Sequence, residues 1–372
     1  MNYSPWGLPG FEARPAFPAS AASRYTRRTM KPLRVAGYST ALLCCMGAAT
    51  EHFWEECVTG STASLRGLGA VDSQTAWAGG TGGKILKTVD GGKRWLELPV
   101  SAGETLDFRA VAAFDGKAAV AMSAGPGKAS RIYRTGDGGA HWGLALQNTD
   151  EGGFFDALAF WDRERGLLLG DPVDGRFVVL LTADGGASWK RVPADGMPVA
   201  REAEGAFAAS GSCLVTGPGG RAWFGTGGTG GARVFRSVDW GRTWRAAQTP
   251  MLNDTASAGI FSLAFRDTVH GVAVGGDYLK LGGRLKNIAV TEDGGATWQV
   301  PNGAGTGGFR SAAAFVPGSS TVVATGPEGT DISSDGGATW KRVSKRGYHA
   351  LSFGRDGPGW ASGADGRIAR MK

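Results

Sequence analysis

Short apolar runs alternate with turns rich in glycine and aspartate along most of this 372-residue chain. One stretch shows the arrangement clearly, because apolar runs begin at Ala157, Gly166 and Phe177, and a fourth begins at Trp189. Runs of this length bounded by turn residues are typical of β-strands. Four such strands in one repeat predict a blade of a β-propeller, and therefore an all-β fold.

The turn before the fourth strand follows one pattern: Ser or Thr, any residue, Asp, any residue, Gly, two residues and Trp. Six copies begin 42 to 55 residues apart. A turn aspartate accepts hydrogen bonds from amides of its own turn, whereas a calcium loop needs further oxygen ligands where these turns carry Gly, Ala, Lys and Arg. We therefore interpret the six aspartates as structural; they are Asp90, Asp137, Asp184, Asp239, Asp293 and Asp335.

Counting the repeats predicts a ring of seven blades. Residues 349–353, 359–363 and 366–370 resemble the first three strands of a seventh repeat, which lacks a fourth strand. Residues 53–59 form an orphan strand near the N-terminus, and Trp54 in it resembles the Trp that opens every other fourth strand. We expect this strand to join the last blade and close the ring, which removes the exposed sheet edges. The predicted domain covers residues 50–372.

Residues 1–49 differ in composition from the rest and carry six Arg or Lys against Glu12, so +5 of the chain's net +7 lies there. Arg27 and Arg28 resemble a twin-arginine export signal, and an apolar run at 35–46 follows them. Alternatively, Met30 is the true start of an ordinary secretory signal, or the segment is a disordered extension. The run is too short for a transmembrane helix. We expect an exported protein, periplasmic or extracellular, and no nucleic-acid partner, because the propeller itself is nearly neutral.

Cofactor and metal motifs are lacking. Residues 225–230 match the spacing of a dinucleotide fingerprint, but a strand follows them where the fingerprint needs a helix. The four histidines are scattered, without the paired spacing of metal ligands. Cys57 and Cys213 would lie nearly opposite in the ring, so we expect two unpaired, buried thiols. We assign no catalytic residue, cofactor or metal, which argues against an enzyme.

Charged residues recur two positions before the central apolar residue of the innermost strands, which we place at Leu68, Val111, Leu158, Phe207, Leu263, Ala312 and Leu351. They would ring one mouth of the central channel, on the face opposite the aspartate turns. Second strands end near two further aspartates on the same face. One interpretation is a structural ring of ion pairs, such as Arg109 with Asp156, and the other is a binding site. The candidate residues are Arg66, Arg109, Asp156, Asp171, Glu204, Asp277, Arg310 and His349.

The aspartate turns resemble the Asp-box, or BNR, repeats of sialidases and related propellers. Over nearly the whole domain the chain resembles exported bacterial propellers described as photosystem II stability/assembly factor-like proteins, which have WD40/YVTN-like repeats and are sometimes labelled oxidoreductases. This resemblance implies binding of a membrane-protein subunit during assembly. The segments that carry it are residues 154–162, 171–177, 204–210, 223–228, 259–266 and 331–337.

These observations favour a monomeric, non-enzymatic propeller that binds a protein or peptide, as an assembly or stability factor would. One alternative is a glycan-binding or glycoside-hydrolysing propeller, whose carboxylates would lie roughly 5 to 9.5 Å apart across a cleft. The Phe-Arg-Ile-Pro type motif of sialidases is absent. A second alternative is the oxidoreductase that the family label suggests, although no cofactor motif supports it.

Overall fold

The fold is a seven-bladed β-propeller, as the repeat count predicts. The computed structural model describes residues 53–303 and 305–372. Its strands form seven antiparallel sheets, six with four strands and one with three. The predictions for residues 1–49 lie outside the described residues. Within the described ranges, three short 3-10 helices interrupt the loops, at Gly127–Ala129, Ala194–Gly196 and Pro218–Gly220.

The strands are numbered along the chain and assigned to blades from the innermost strand outward. Blade 1 contains β2 (Leu65–Ala70), β3 (Ala76–Gly80), β4 (Ile85–Thr88) and β5 (Leu96–Leu98). Blade 2 contains β6 (Phe108–Ala113), β7 (Ala119–Ser123), β8 (Arg131–Thr135) and β9 (Gly143–Gln147). Blade 3 contains β10 (Phe155–Phe160), β11 (Gly166–Val173), β12 (Arg176–Thr182) and β13 (Lys190–Arg191).

The remaining blades follow the same order. Blade 4 contains β14 (Leu214–Gly217), β15 (Arg221–Gly225), β16 (Arg233–Ser237) and β17 (Arg245–Gln248). Blade 5 contains β18 (Ala258–Phe265), β19 (Gly271–Asp277) and β20 (Ile288–Thr291). Blade 6 contains β21 (Ala312–Phe315), β22 (Val322–Gly326), β23 (Gly329–Ser333) and β24 (Lys341–Ser344). Blade 7 contains β25 (Ala350–Phe353), β26 (Gly359–Ser362), β27 (Ile368–Met371) and, outermost, β1 (Trp54–Cys57).

The N-terminal strand closes the ring. Strand β1 pairs antiparallel with β27, from Trp54 opposite Met371 to Cys57 opposite Ile368. The buried indole of Trp54 also donates from Nε1 to Oγ1 of Thr330 in blade 6, at 3.0 Å. The first strand of the domain is therefore bonded to its last two blades, which confirms the closure predicted from Trp54.

The aspartate turns stabilise themselves through their own backbone, as the turn at Asp293 illustrates. The hydroxyl of Thr291 donates to Oδ1 of Asp293 at 2.8 Å and accepts from the amide of Gly295 at 2.9 Å. Oδ1 of Asp293 accepts from the amide of Thr297 at 2.9 Å, and Oδ2 accepts from its hydroxyl at 2.7 Å. Both carboxylate oxygens are thus used inside the turn, which supports a structural role for this residue.

Blade 4 departs from the predicted register. The sequence places its innermost strand around Phe207, but that strand is β14, which begins at Leu214. Residues 207–212, which we name the plug, instead cross the centre of the ring. Phe207 stacks on Phe261 of blade 5 with ring centroids 3.9 Å apart, and the hydroxyl of Ser210 donates to the carbonyl oxygen of Ser311 in blade 6 at 2.8 Å. The prediction was wrong because an apolar run flanked by small residues can fill a channel as well as build a strand.

Two smaller predictions also differ from the structure. The fourth strand expected in blade 5 after Trp298 is reduced to one bridge between Val290 and Gln299. Both described cysteines are free, as predicted, but only Cys213 is buried, whereas Cys57 is half-buried. The exposed position of β1 on the outside of blade 7 explains this difference.

Candidate functional site

A repeated β-bulge positions the predicted mouth residues. In blades 1, 2, 3 and 5 the pairing of the first and second strands shifts register by one residue near the start of the innermost strand. The extra residues are Arg66, Arg109, Asp156 and Phe261. A bulge leaves its extra residue outside the regular alternation and redirects its side chain. In blades 6 and 7, Arg310 and His349 lie just before the innermost strands.

Cationic side chains cluster where blades 7, 1 and 2 meet at the mouth. Burial, and then the charges of Arg66, Arg367 and Arg109, lower the pKa of His349 to about 3. Burial, and then Arg109, lower the pKa of Arg66 to about 10. Arg109 pairs through Nε with Oδ2 of Asp107 at 2.7 Å. At neutral pH the histidine is therefore uncharged, whereas the three arginines supply positive charge.

Two buried aspartates lie on the neighbouring side of the mouth. Burial, and then the charge of Asp171, raise the pKa of Asp156 well above its usual value. Burial raises the pKa of Asp171 to about 7, although the amide of Ala206 donates to its Oδ1 at 3.0 Å. Asp156 is 0% exposed, and neither of its oxygens has a hydrogen-bond partner among the described residues. The ion pair suggested between Arg109 and Asp156 does not form, since Arg109 pairs with Asp107, but the positive charge of Arg109 partly offsets the rise in the pKa of Asp156.

Two other predicted site residues are committed to buried ion pairs. Oε1 of Glu204 accepts from Nε of Arg233 at 2.8 Å and from the hydroxyl of Thr226 at 2.6 Å. Nε of Arg310, which is 0% exposed, donates to Oδ2 of Asp331 at 2.7 Å. The partners Arg233 and Asp331 lie on third strands, and the alignment of first strands carries no signal for them.

Asp277 ends the second strand of blade 5, as predicted, and holds the following loop. Its Oδ1 accepts from the amide of Leu279 at 2.9 Å, and Nζ of Lys280 lies 3.7 Å from its Oδ2. The eight candidates therefore separate into groups. Asp156 and Asp171 are buried beside the plug, whereas Glu204, Asp277 and Arg310 organise the local structure. Arg66 and His349 remain partly open to solvent, with Arg109 beneath them.

This arrangement can hold an acidic group over the mouth, because Arg66, Arg109 and Arg367 supply positive charge. The plug excludes a ligand that threads through the ring. The carboxylates that a glycoside hydrolase could use here are buried and do not face an open cleft; they are Asp156, Asp171, Glu204 and Asp277. No group of three or more His, Cys, Asp or Glu in the described ranges is arranged to hold a metal ion. None of the described helices has the length and apolar character needed to cross a membrane.

Comparison with known proteins relates this chain to others through fold alone. No protein-family model matches it, and no curated protein matches its sequence. The structure of YCF48 bound to D1 peptide superposes with a TM-score of 0.58 and 17% identity, covering 90% of this chain and 99% of that one. YCF48 from Cyanidioschyzon merolae gives a TM-score of 0.60 and 19% identity, with 86% and 98% coverage. Streptogramin B lyase gives 0.56 and 15%, with 86% and 97% coverage. The chain is thus similar in fold to YCF48 and to other propellers, which include an enzyme as well as a peptide-binding protein.

Proposed function

We propose that this propeller is a non-enzymatic binding protein that docks an acidic segment of a protein or peptide partner at the mouth of its ring. The observation that carries the proposal is the cationic cluster of Arg66, Arg109 and Arg367 around His349. Clefts with a surplus of one charge attract ligands of the opposite charge. The plug crosses the ring beside the cluster and is bonded to it through Arg109, so the partner would lie across the mouth.

The comparison with YCF48 bound to D1 peptide supports a peptide as the ligand, since a propeller of similar shape holds one. At 17% identity the likeness does not identify the partner. We further propose that the partner is a membrane-protein subunit met during assembly, in keeping with the resemblance of the sequence.

The test is selection from an unbiased displayed peptide library on the immobilised protein. We expect the wild type to enrich acidic peptides and Arg66→Glu to abolish that enrichment. Arg245→Glu is the matched control, because Arg245 is an exposed arginine on the outermost strand of blade 4. Equal enrichment on all three proteins would remove the mouth as the docking site.

We also propose that the domain is exported by the signal in residues 1–49. Cell fractionation of the full chain carrying a C-terminal tag should place the shortened product outside the cytoplasmic membrane. Replacing Arg27 and Arg28 together by Lys should block this export if the twin-arginine route is used. Export that persists indicates the ordinary secretory route from Met30, and an unprocessed, retained chain contradicts the proposal.

A further inference from the structure

A cavity of about 930 Å³ lies between blades 3 and 4, on the face that carries the aspartate turns. This face is opposite the mouth, because the aspartate turns join third to fourth strands. The apolar part of its lining comprises Trp161, Leu181, Val192, Pro193 and Trp240. Ligand cavities of roughly 300 to 1,000 Å³ with aromatic and aliphatic walls are typical sites for small molecules.

The junction of blades 3 and 4, where the cavity lies, differs from three other junctions between blades. At those three, a cation near the end of a third strand donates to the carbonyl oxygen of the glycine that follows the aspartate in the turn of the next blade. At the junction of blades 3 and 4 the same two positions hold Leu181 and Trp240, so an apolar pair replaces the polar link. The three links are Arg370 to the carbonyl oxygen of Gly91 at 3.1 Å, Lys87 to that of Gly138 at 2.6 Å and Arg134 to that of Gly185 at 3.1 Å.

Trp240 occupies its position at a conformational cost. Its φ is +62°, in the left-handed region, where the other five aspartate turns have a glycine. A bulky residue in this region is strained, and such strain is concentrated at binding and active sites. The fold of the turn does not need a tryptophan at this position, since the five other aspartate turns form with glycine there.

Three neighbours hold the indole of Trp240 in place. The guanidinium of Arg165 lies over the ring, 3.9 Å from its centroid, and Trp161 meets it edge-on with centroids 5.3 Å apart. Gly220 packs against the ring so closely that a Cβ there would come within 2.8 Å of it. The indole is therefore a fixed wall of the cavity.

Two of the four cationic side chains at the rim of the cavity, Lys190 and Arg242, form no ion pair among the described residues, whereas Arg165 pairs with Asp162 and Arg191 with Asp150. Lys190 lies on the rim and is exposed, and its ammonium group has no ion pair or hydrogen bond within the described part of the chain. Arg165 binds Asp162 through Nε at 2.7 Å and through Nη2 at 2.6 Å, which leaves Nη1 for another acceptor. The charged side chains of the lining are Arg165, Lys190, Arg191 and Arg242 against Asp184 and Asp195.

We propose that this cavity is a second binding site, specific for a small organic anion with a flat apolar body. The aromatic and aliphatic walls would take the body, and Lys190 with Nη1 of Arg165 would bind the anionic group. A peptide fits less well, because the neighbouring outer strand β13 has only two residues, Lys190 and Arg191, and offers too short an edge for strand addition.

The test uses 8-anilinonaphthalene-1-sulfonate, a fluorescent anion with a flat apolar body. We expect saturable 1:1 binding to the wild type, with energy transfer from tryptophan. The double variant Leu181→Arg/Trp240→Gly recreates the junction of Arg134 with Gly185 and should remove the aromatic wall of the cavity. It should bind the dye at least tenfold more weakly while it keeps the circular dichroism spectrum and a cooperative thermal transition.

A charge reversal tests the anion specificity separately. Lys190→Glu should weaken dye binding at least fivefold. The matched control is Lys341→Glu, because Lys341 follows the turn tryptophan of blade 6 as Lys190 follows that of blade 3. Lys341 does not line the cavity, so its reversal should not change dye binding. The proposal is overturned if the double variant and Lys190→Glu both bind the dye like the wild type. It is equally overturned if the neutral analogue 1-anilinonaphthalene binds as tightly as the sulfonate. It is also overturned if the dye fails to bind at millimolar concentration or an acidic peptide alone occupies the cavity.

Discussion

Nη1 of Arg109 donates to the carbonyl oxygen of Ala208 at 3.2 Å, and so joins blade 2 to the plug that blade 4 sends across the ring. The two residues are 99 positions apart in the chain and belong to blades that are not neighbours. The bond therefore links the cationic cluster directly to the plug. The mouth residue Arg109 is therefore held by a contact inside the ring as well as by its own blade.

Gly211 should tolerate substitution worse than other glycines of similar conformation. Its φ is +72°, and a Cβ there would lie 3.0 Å from the Cβ of Ala110. Gly211→Val should lower the free energy of unfolding by the conformational cost of about 1 to 3 kcal/mol plus a similar cost of overpacking. Gly318→Val is the control, since Gly318 has φ +71° but no neighbour within 4 Å. Urea unfolding measures both, and equal losses would contradict a tightly packed plug.

The buried pair of Arg310 and Asp331 should show strong coupling. Arg310→Met leaves the carboxylate of Asp331, which is 2% exposed, without its main cation. Breaking a buried pair from one side costs about 3 to 5 kcal/mol, whereas replacing both partners by apolar residues is often nearly neutral. The double variant Arg310→Met/Asp331→Leu should therefore recover much of the loss.

The matched control for this cycle is the exposed pair of Arg163 and Asp115. Arg163→Met should change the free energy of unfolding by less than about 1 kcal/mol, because water screens exposed pairs. A loss at Arg310 no larger than the loss at Arg163 would show that burial does not strengthen the coupling.

The period of the sequence was enough to predict the blades, the closure by Trp54 and the alignment of Arg66, Arg109 and Asp156 near the starts of their innermost strands, but not the bulges that these residues occupy. Each of these depends on alternation within a strand and on repetition between blades, which are local properties. The plug was missed because Phe207 has the local surroundings of a strand residue, and only contacts with distant blades move it to the centre. The pairing of Arg310 with Asp331 was missed for a similar reason, since it depends on side-chain reach across two strands.

Asp171 should make the protein more stable as the pH falls from about 7 toward 4. Burial raises its pKa to about 7 in the native state, whereas an unfolded aspartate has a pKa of about 3.9. The native state binds the extra proton between these values, so this contribution is complete below about pH 4 and lost as the pH rises through 7. Its slope is at most about 1.4 kcal/mol per pH unit.

Asp171→Asn should remove that slope while its amide oxygen still accepts from the amide of Ala206. The measurement is the free energy of unfolding in urea at pH 5 and at pH 7.5, for variant and wild type. We expect the free energy of unfolding of the wild type, relative to that of Asp171→Asn, to be larger at pH 5 than at pH 7.5. A difference that is constant from pH 5 to pH 7.5 would show that Asp171 is already ionised at pH 5 in the native state.

His349 should make the protein less stable as the pH falls from about 6.5 toward 3. Burial and the charges of Arg66, Arg367 and Arg109 lower its pKa to about 3, whereas an unfolded histidine has a pKa of about 6.5. The unfolded state therefore binds more protons between these values. The contribution of His349 to stability is present above about pH 6.5 and is lost progressively as the pH falls toward 3.

His349→Gln should make the stability of the protein less sensitive to acid between pH 6.5 and pH 4.5. Removal of one arginine from the cluster should also change the pKa of His349. Arg66→Met lowers the positive charge beside the imidazole ring and should therefore raise this pKa. Titration of the histidine ring by NMR in wild type and Arg66→Met measures that rise directly. An unchanged histidine pKa in Arg66→Met would mean that the charge of Arg66 does not act on the ring, and the electrostatic basis for docking an acidic segment at Arg66 would then fail.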